Sequence, residues 1–133
     1  MPKKLSAICL CIIMIFSAAL LSSCIFSEKV RISEDLKGSI KFKYNDKNIN
    51  TQMDKEDSDS VVDILNNKEC FTDNPSCGFD GNISLTFGTD TFMVACDGCS
   101  IIKYHNKYFN VSDSEIEKIH NIMVKYGAVF PCV

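Results

Sequence analysis

The first two dozen residues constrain this chain more than any other stretch. Lys3 and Lys4 precede a run from Leu5 to Leu21 that carries no charge, and the run closes on Leu21-Ser22-Ser23-Cys24. Two lysines, an apolar core and small residues ahead of a cysteine are the layout of a secretory leader. The lysines hold the N-terminus in the cytoplasm, so everything after Cys24 is expected outside the membrane. Within 133 residues this leaves room for one domain of modest core, built where thiols oxidise. The eight cysteines of the chain, a high density for its length, are then expected to serve mainly as a disulfide framework. Cys9 and Cys11 lie inside the apolar run and receive no chemical role.

The order of Leu21, Ser22, Ser23 and Cys24 resembles the lipobox of bacterial prolipoproteins. That resemblance implies cleavage before Cys24, a diacylglycerol on its thiol, and a signal peptide over 1–23. The alternative is an uncleaved anchor, because the run approaches the length that begins to span a bilayer. Both readings put the domain on the extracytoplasmic side of the cell membrane. Residues 24–38 are charge-dense and weakly periodic, and they read as a lipid-anchored tether. Residues 39–133 read as one small domain. With 14 Lys and Arg against 17 Asp and Glu, two of those lysines in the leader, the exported part is net negative. No basic stripe suited to nucleic acid is present.

Within the domain, Ile40, Phe42 and Tyr44 alternate with Lys41 and Lys43, the pattern of a half-buried strand. Asn45-Asp46-Lys47 is turn chemistry, and 48–51 returns as a second strand. Asp54 offers an N-cap to a helix carrying Val61, Val62 and Leu65 on one side. The acids Glu56, Asp57, Asp59 and Asp63 lack the glycine and bidentate glutamate of a calcium loop, and they suit a helix N-terminus. Ile83, Leu85 and Phe87 begin the clearest hairpin, which turns at Gly88-Thr89-Asp90 and returns over Thr91 to Cys96. Ile101 to Tyr104 and Tyr108 to Val111 form another, turned at His105-Asn106. Ser112 with Glu115 is a capping box, Ile116, Ile119, Met123 and Tyr126 recur at helical spacing, and Gly127 stops that helix. The apolar tail through Pro131 and Cys132 is expected to dock.

Lys43 to Asn50 matches Lys103 to Asn110 at four of eight positions, and a capped helix follows each. This reads either as two β-hairpin-plus-helix units around a central hairpin or as unrelated hairpins sharing turn and capping chemistry. Both readings predict an α+β fold, an antiparallel sheet with two helices on one face, stapled by disulfides.

With Cys24 lipidated, the thiols to place are Cys70, Cys77, Cys96, Cys99 and Cys132. The pairing expected is Cys96 with Cys99 as a short bridge and Cys77 with Cys132 as a staple for the tail, leaving Cys70 as a free thiol. In the chain-entropy account the longer loop is worth about 4 kcal/mol. Cys96-Asp97-Gly98-Cys99 invites two other readings. A redox CxxC opens a helix whose N-terminus lowers the first thiol's pKa, whereas this pair follows a strand and contains Asp97, which disfavours a thiolate. A structural zinc site commonly uses two paired knuckles, and only one CxxC is present; His105 falls in a turn and His120 flanks the apolar face of the last helix.

The motifs Asp73-Asn74-Pro75-Ser76-Cys77, Cys96-Asp97-Gly98-Cys99, Tyr108-Phe109-Asn110-Val111-Ser112 and Phe130-Pro131-Cys132 together resemble small cysteine-rich exported domains of Gram-positive-type bacteria. The resemblance spans roughly 40–133 and implies no activity, since that group has no established function. No nucleophile elbow, phosphate-binding glycine loop, HExxH or catalytic carboxylate pair occurs. The expectation is therefore a membrane-anchored, non-catalytic binding module without cofactor or resident metal. Its partner would be an extracytoplasmic protein or small ligand. The alternatives are an exported thiol-disulfide oxidoreductase or redox sensor using Cys96 and Cys99, and a small metal-binding module.

Overall fold

Alternation of apolar and polar residues sets the strands. The computed structural model describes residues 27–130; the leader 1–23, Cys24 and Cys132 lie outside the described residues. In β1 (Gly38–Tyr44) Ile40 and Phe42 are fully buried, while Lys41 and Lys43 are exposed on the other face. The chain turns at Asn45 and returns as β2 (Lys47–Gln52). Asn45 has φ of 49°, a left-handed backbone that asparagine tolerates. Gly88, at φ 60°, turns β3 (Ile83–Phe87) into β4 (Asp90–Val94). His105, at φ 52°, turns β5 (Ile101–Tyr104) into β6 (Lys107–Asn110).

The six strands lie in the order β2-β1-β3-β4-β5-β6, each neighbouring pair antiparallel. α1 (Lys55–Leu65) follows the first hairpin and α2 (Asp113–Lys125) follows the third. The fold is therefore the α+β arrangement expected, with hairpin-plus-helix units on either side of the β3–β4 hairpin. Asn45 and His105 occupy equivalent places in the two matching segments, and both adopt positive φ.

Capping decides where the helices begin. The Asp54 carboxylate accepts from the Asp57 N–H at 2.8 Å. Ser112 Oγ accepts from the Glu115 N–H at 3.1 Å while Glu115 Oε2 accepts from the Ser112 N–H at 2.7 Å. Glu115 also receives the Lys68 ammonium at 2.7 Å. Burial pushes its carboxyl up, but Lys68 and the Ser112 N–H together hold it below the usual carboxylate range. Val61, Val62 and Leu65 of α1 and Ile116, Ile119 and Met123 of α2 join Ile40, Phe42, Leu85, Phe92, Ile102 and Phe109 in a single core. The helices are tied at their rim: the Tyr126 hydroxyl accepts from the Asp54 N–H and donates to Asp57, both at 2.8 Å.

The stretch 24–38, expected from its composition to be a tether, is docked from Glu28 onward. Val30 is 1 % exposed and Ile32 7 %, both within the core. This strap runs antiparallel to the chain leaving α1. The Val30 N–H donates to the Lys68 carbonyl at 3.0 Å, and the Asn67 and Cys70 N–H groups donate to the Val30 and Glu28 carbonyls, each at 2.9 Å. The Asn66 side chain brackets Ile32, accepting from its N–H at 2.6 Å and donating to its carbonyl at 3.0 Å. Two apolar residues spaced two apart are the minimum strand signal, and Glu28, Lys29 and Arg31 mask it.

Beyond the strap the chain rounds the outer edge of β6, where Phe71 pairs with Tyr108, and crosses the face of the sheet away from the helices. Phe79 and Phe71 lie against the Tyr108 ring at 5.7 Å and 6.0 Å, and the Tyr108 hydroxyl donates to Asn74 at 2.8 Å.

Candidate functional site

Since β4 ends at Val94 and β5 begins at Ile101, the CxxC lies in the connection between two neighbouring strands. It does not open a helix. Gly98 takes φ of 72°, the left-handed turn for which glycine is suited. The two cysteines diverge across this connection. Cys96 is half-buried and packs against the core, whereas Cys99 is disulfide-bonded to Cys77, with Cα atoms 6.1 Å apart. Cys77 belongs to the loop that crosses the outer face.

This bond corrects the expected pairings of Cys96 with Cys99 and of Cys77 with Cys132. The physical reason is the strand context: Cys96 continues toward the core side, and the turn at Gly98 carries Cys99 toward the opposite loop. Asp97 helps to select this arrangement. Its Oδ2 accepts from the Gly78 N–H at 3.2 Å and its Oδ1 from the Cys99 N–H at 3.3 Å, so one carboxylate clips both ends of the crosslink. Sequence reasoning treated Asp97 only as a charge that disfavours a thiolate. Its Asx-turn chemistry two residues before Cys99 was the available signal.

Among the described residues Cys70 makes no disulfide. Burial pushes its thiol up, the Glu28 carboxylate adds to that, and Lys107 offsets only part of it. A thiol held protonated in this way is a poor nucleophile.

Beside the CxxC turn lies a cleft of about 280 Å³ between the β4–β5 connection and α2, lined by Gly98, Ser100, Asp113, Ile116, Glu117 and His120. Helical spacing puts the α2 members on one face. Ser100 Oγ donates to Asp113 Oδ1 at 2.6 Å, joining the two walls. His120 is only 4 % exposed, and its ring stacks on Phe130 with centroids 4.2 Å apart. Neither ring nitrogen has a well-formed hydrogen bond. Burial holds the imidazole below its ordinary pKa, and the neighbouring Ala95 carbonyl offsets this only in part. The site therefore combines a carboxylate rim, a hydroxyl and a neutral imidazole with unused polar capacity.

A second cleft, of about 400 Å³, lies at the opposite end of the sheet among Glu28, Asp90, Tyr104, His105, Asn106 and Lys107. Here polar groups satisfy one another. The Tyr104 hydroxyl donates to Asp90 at 3.1 Å, His105 Nε2 lies 3.4 Å from the same oxygen, and Lys107 pairs with Glu28. Burial, with Asp90 adding to it, pushes the Tyr104 hydroxyl up to about 12, so it acts as a donor.

His105 and His120 thus sit at opposite ends of the sheet. Among the described residues no group of three or more His, Cys, Asp and Glu is placed to hold a metal ion. No helix among them is long and apolar enough to cross a membrane. Compared with protein-family profiles, curated proteins and solved structures, the chain matches none.

Proposed function

We propose that this chain is a membrane-anchored extracytoplasmic lipoprotein whose domain is a non-catalytic binding module. Lipid on Cys24 is its contact with the membrane, and its ligand is an extracytoplasmic protein or small molecule taken at the cleft beside the CxxC turn. The observation that carries the reading is the Cys77–Cys99 bond. A thiol-disulfide oxidoreductase would cycle a bond between Cys96 and Cys99. In this chain Cys99 is joined to a different loop and its backbone is clipped by Asp97. The CxxC then supports reading the turn as a rigid wall that frames Gly98 and Ser100 against α2.

The test uses the exported protein and its Cys24→Ala variant, followed by detergent partitioning and by reduction of insulin disulfides. The expected result is detergent-phase protein that the substitution shifts to the aqueous phase, with insulin reduced no faster than by buffer. Partitioning that ignores Cys24→Ala overturns the anchor. Insulin reduction that requires both Cys96 and Cys99 replaces binding with catalysis.

A further inference from the structure

The side chains that line the cleft beside the CxxC turn offer polar chemistry of one kind. Asp113, Ile116, Glu117 and His120 are spaced three or four residues apart or less along α2, so they form one stripe along the cleft. The Ser100 hydroxyl has a single proton, which is committed to Asp113 at 2.6 Å, and the oxygen keeps its lone pairs. Asp113 and Glu117 are exposed carboxylates, which accept and do not donate. Among the described residues no lysine or arginine pairs with either of them. The cleft at Tyr104 differs in this respect, because it carries its own cation, Lys107, paired with Glu28.

His120 adds an independent demand of the same sign. Its side chain is buried, and neither ring nitrogen has a well-formed hydrogen bond. The polar group that acts on the ring is the Ala95 carbonyl, an acceptor that draws the imidazole proton to its own side. The second nitrogen then keeps a lone pair that no donor fills, and a buried polar atom left in that state is costly. Burial disfavours the charged ring, so His120 contributes no positive charge against an incoming cation. Two carboxylates, a hydroxyl oxygen and an imidazole nitrogen thus all call for donors.

We infer that this cleft takes a primary alkylammonium group, its N–H donors met by Asp113, Glu117 and the open His120 nitrogen and its alkyl stem laid on Ile116. A volume of about 280 Å³ is at the small end of ligand cavities, which suits one short aliphatic chain with a charged head. A bare metal ion fits less well, since among the described residues no three of His, Cys, Asp and Glu are placed to hold one. The inference rests on reading this cleft as the ligand site, as proposed above, and adds the ligand's chemical class. A free alkylamine and a lysine side chain of a protein present the same ammonium head.

His105 and His120 are the two histidines of the chain, and they lie at opposite ends of the sheet, so the ring signals report the cleft with a built-in reference. The whole chain is held in detergent at constant pH with its histidine rings isotope-labelled, and NMR follows both rings as n-propylamine or Nα-acetyl-lysine amide is added. The expected result is a saturable shift of His120 that leaves His105 in place. Saturation by the lysine derivative alone assigns a protein-borne ammonium, by propylamine alone a free amine, and by both a site that reads only the head. Asp113→Asn and Glu117→Gln should each weaken saturation by roughly 2–5-fold, the range for exposed charge pairs. Equal binding of tetramethylammonium, which has no N–H, overturns the inference, as does unchanged affinity in both variants. Saturation by acetate or n-propanol and by neither amine overturns the ligand class while keeping the cleft as a site. Saturation by none of the probes overturns both.

Discussion

Replacing Cys77 and Cys99 together by alanine removes the bond that joins the outer loop to the CxxC turn, and its cost follows from the loop it closes. The sequence separation is 22 residues. For a loop of that size the chain-entropy account gives about 3 kcal/mol at 25 °C. Both sulfurs are only half-buried, so lost packing adds little beside that term. The loop itself keeps other contacts, since Phe71 and Phe79 remain against Tyr108 and the Tyr108 hydroxyl remains on Asn74. The native structure should therefore survive, with the loss arising from a less constrained unfolded chain. Urea unfolding of the oxidised wild type and the double variant should differ by about 3 kcal/mol, or roughly 12 °C in Tm for a domain of about 100 residues. Each single alanine variant, its remaining thiol alkylated, should cost nearly as much as the pair, since either substitution breaks the same bond. A loss below about 1 kcal/mol, or single losses that simply add, would refute the reasoning.

Three further outcomes are expected. Gly38→Ala places a methyl group 2.6 Å from Phe87 and against Met53, and this overpacking should cost about 1–3 kcal/mol in urea unfolding without changing the denaturant slope. Tyr126→Phe removes the hydroxyl that joins the Asp54 N–H to the Asp57 carboxylate, and at this partly exposed rim it should lower stability by about 1 kcal/mol, read by thermal melting. His120 has a folded-state pKa below its ordinary 6.5, so the unfolded chain binds its proton first. The stability it allows is whole above pH 6.5 and declines as the pH falls through that value toward the folded pKa. His120→Phe, which keeps a ring against Phe130, should flatten the fall in unfolding free energy between about pH 7 and 5.5. An unchanged slope would contradict the burial argument.

Local chemistry made the hairpins and helices legible. Strand alternation at Ile40 and Phe42, turn residues at Asn45 and Gly88, and the cap residues Asp54 and Ser112 act within a few positions of one another, and the fold follows them. The strap at Val30 and Ile32 was not legible, because its partners at Asn66 to Cys70 lie far along the chain and its charged neighbours resemble a linker. The disulfide pairing was missed for a similar reason. Spacing makes Cys96 and Cys99 look like partners, but the direction of each thiol depends on β4 and β5 meeting edge to edge. The cleft was visible only in pieces. His120 was recognisable beside the core, whereas its juxtaposition with Ser100 and Asp113 depends on how α2 lies beside the β4–β5 connection.

The strap also has a mechanical consequence. Glu28 to Ile32 runs antiparallel to Asn66 to Cys70, so tension on the N-terminus loads the Cys70-to-Glu28 hydrogen bond first, then those at Val30, then the Asn66 bracket around Ile32. Bonds loaded in sequence yield one at a time, at far lower force than bonds sheared together. The six-stranded sheet begins only after this strap. A pull on the N-terminus would thus peel the strap and bare the apolar seats of Val30 and Ile32 before any strand of the sheet bore the load, making the strap a mechanical fuse for the domain.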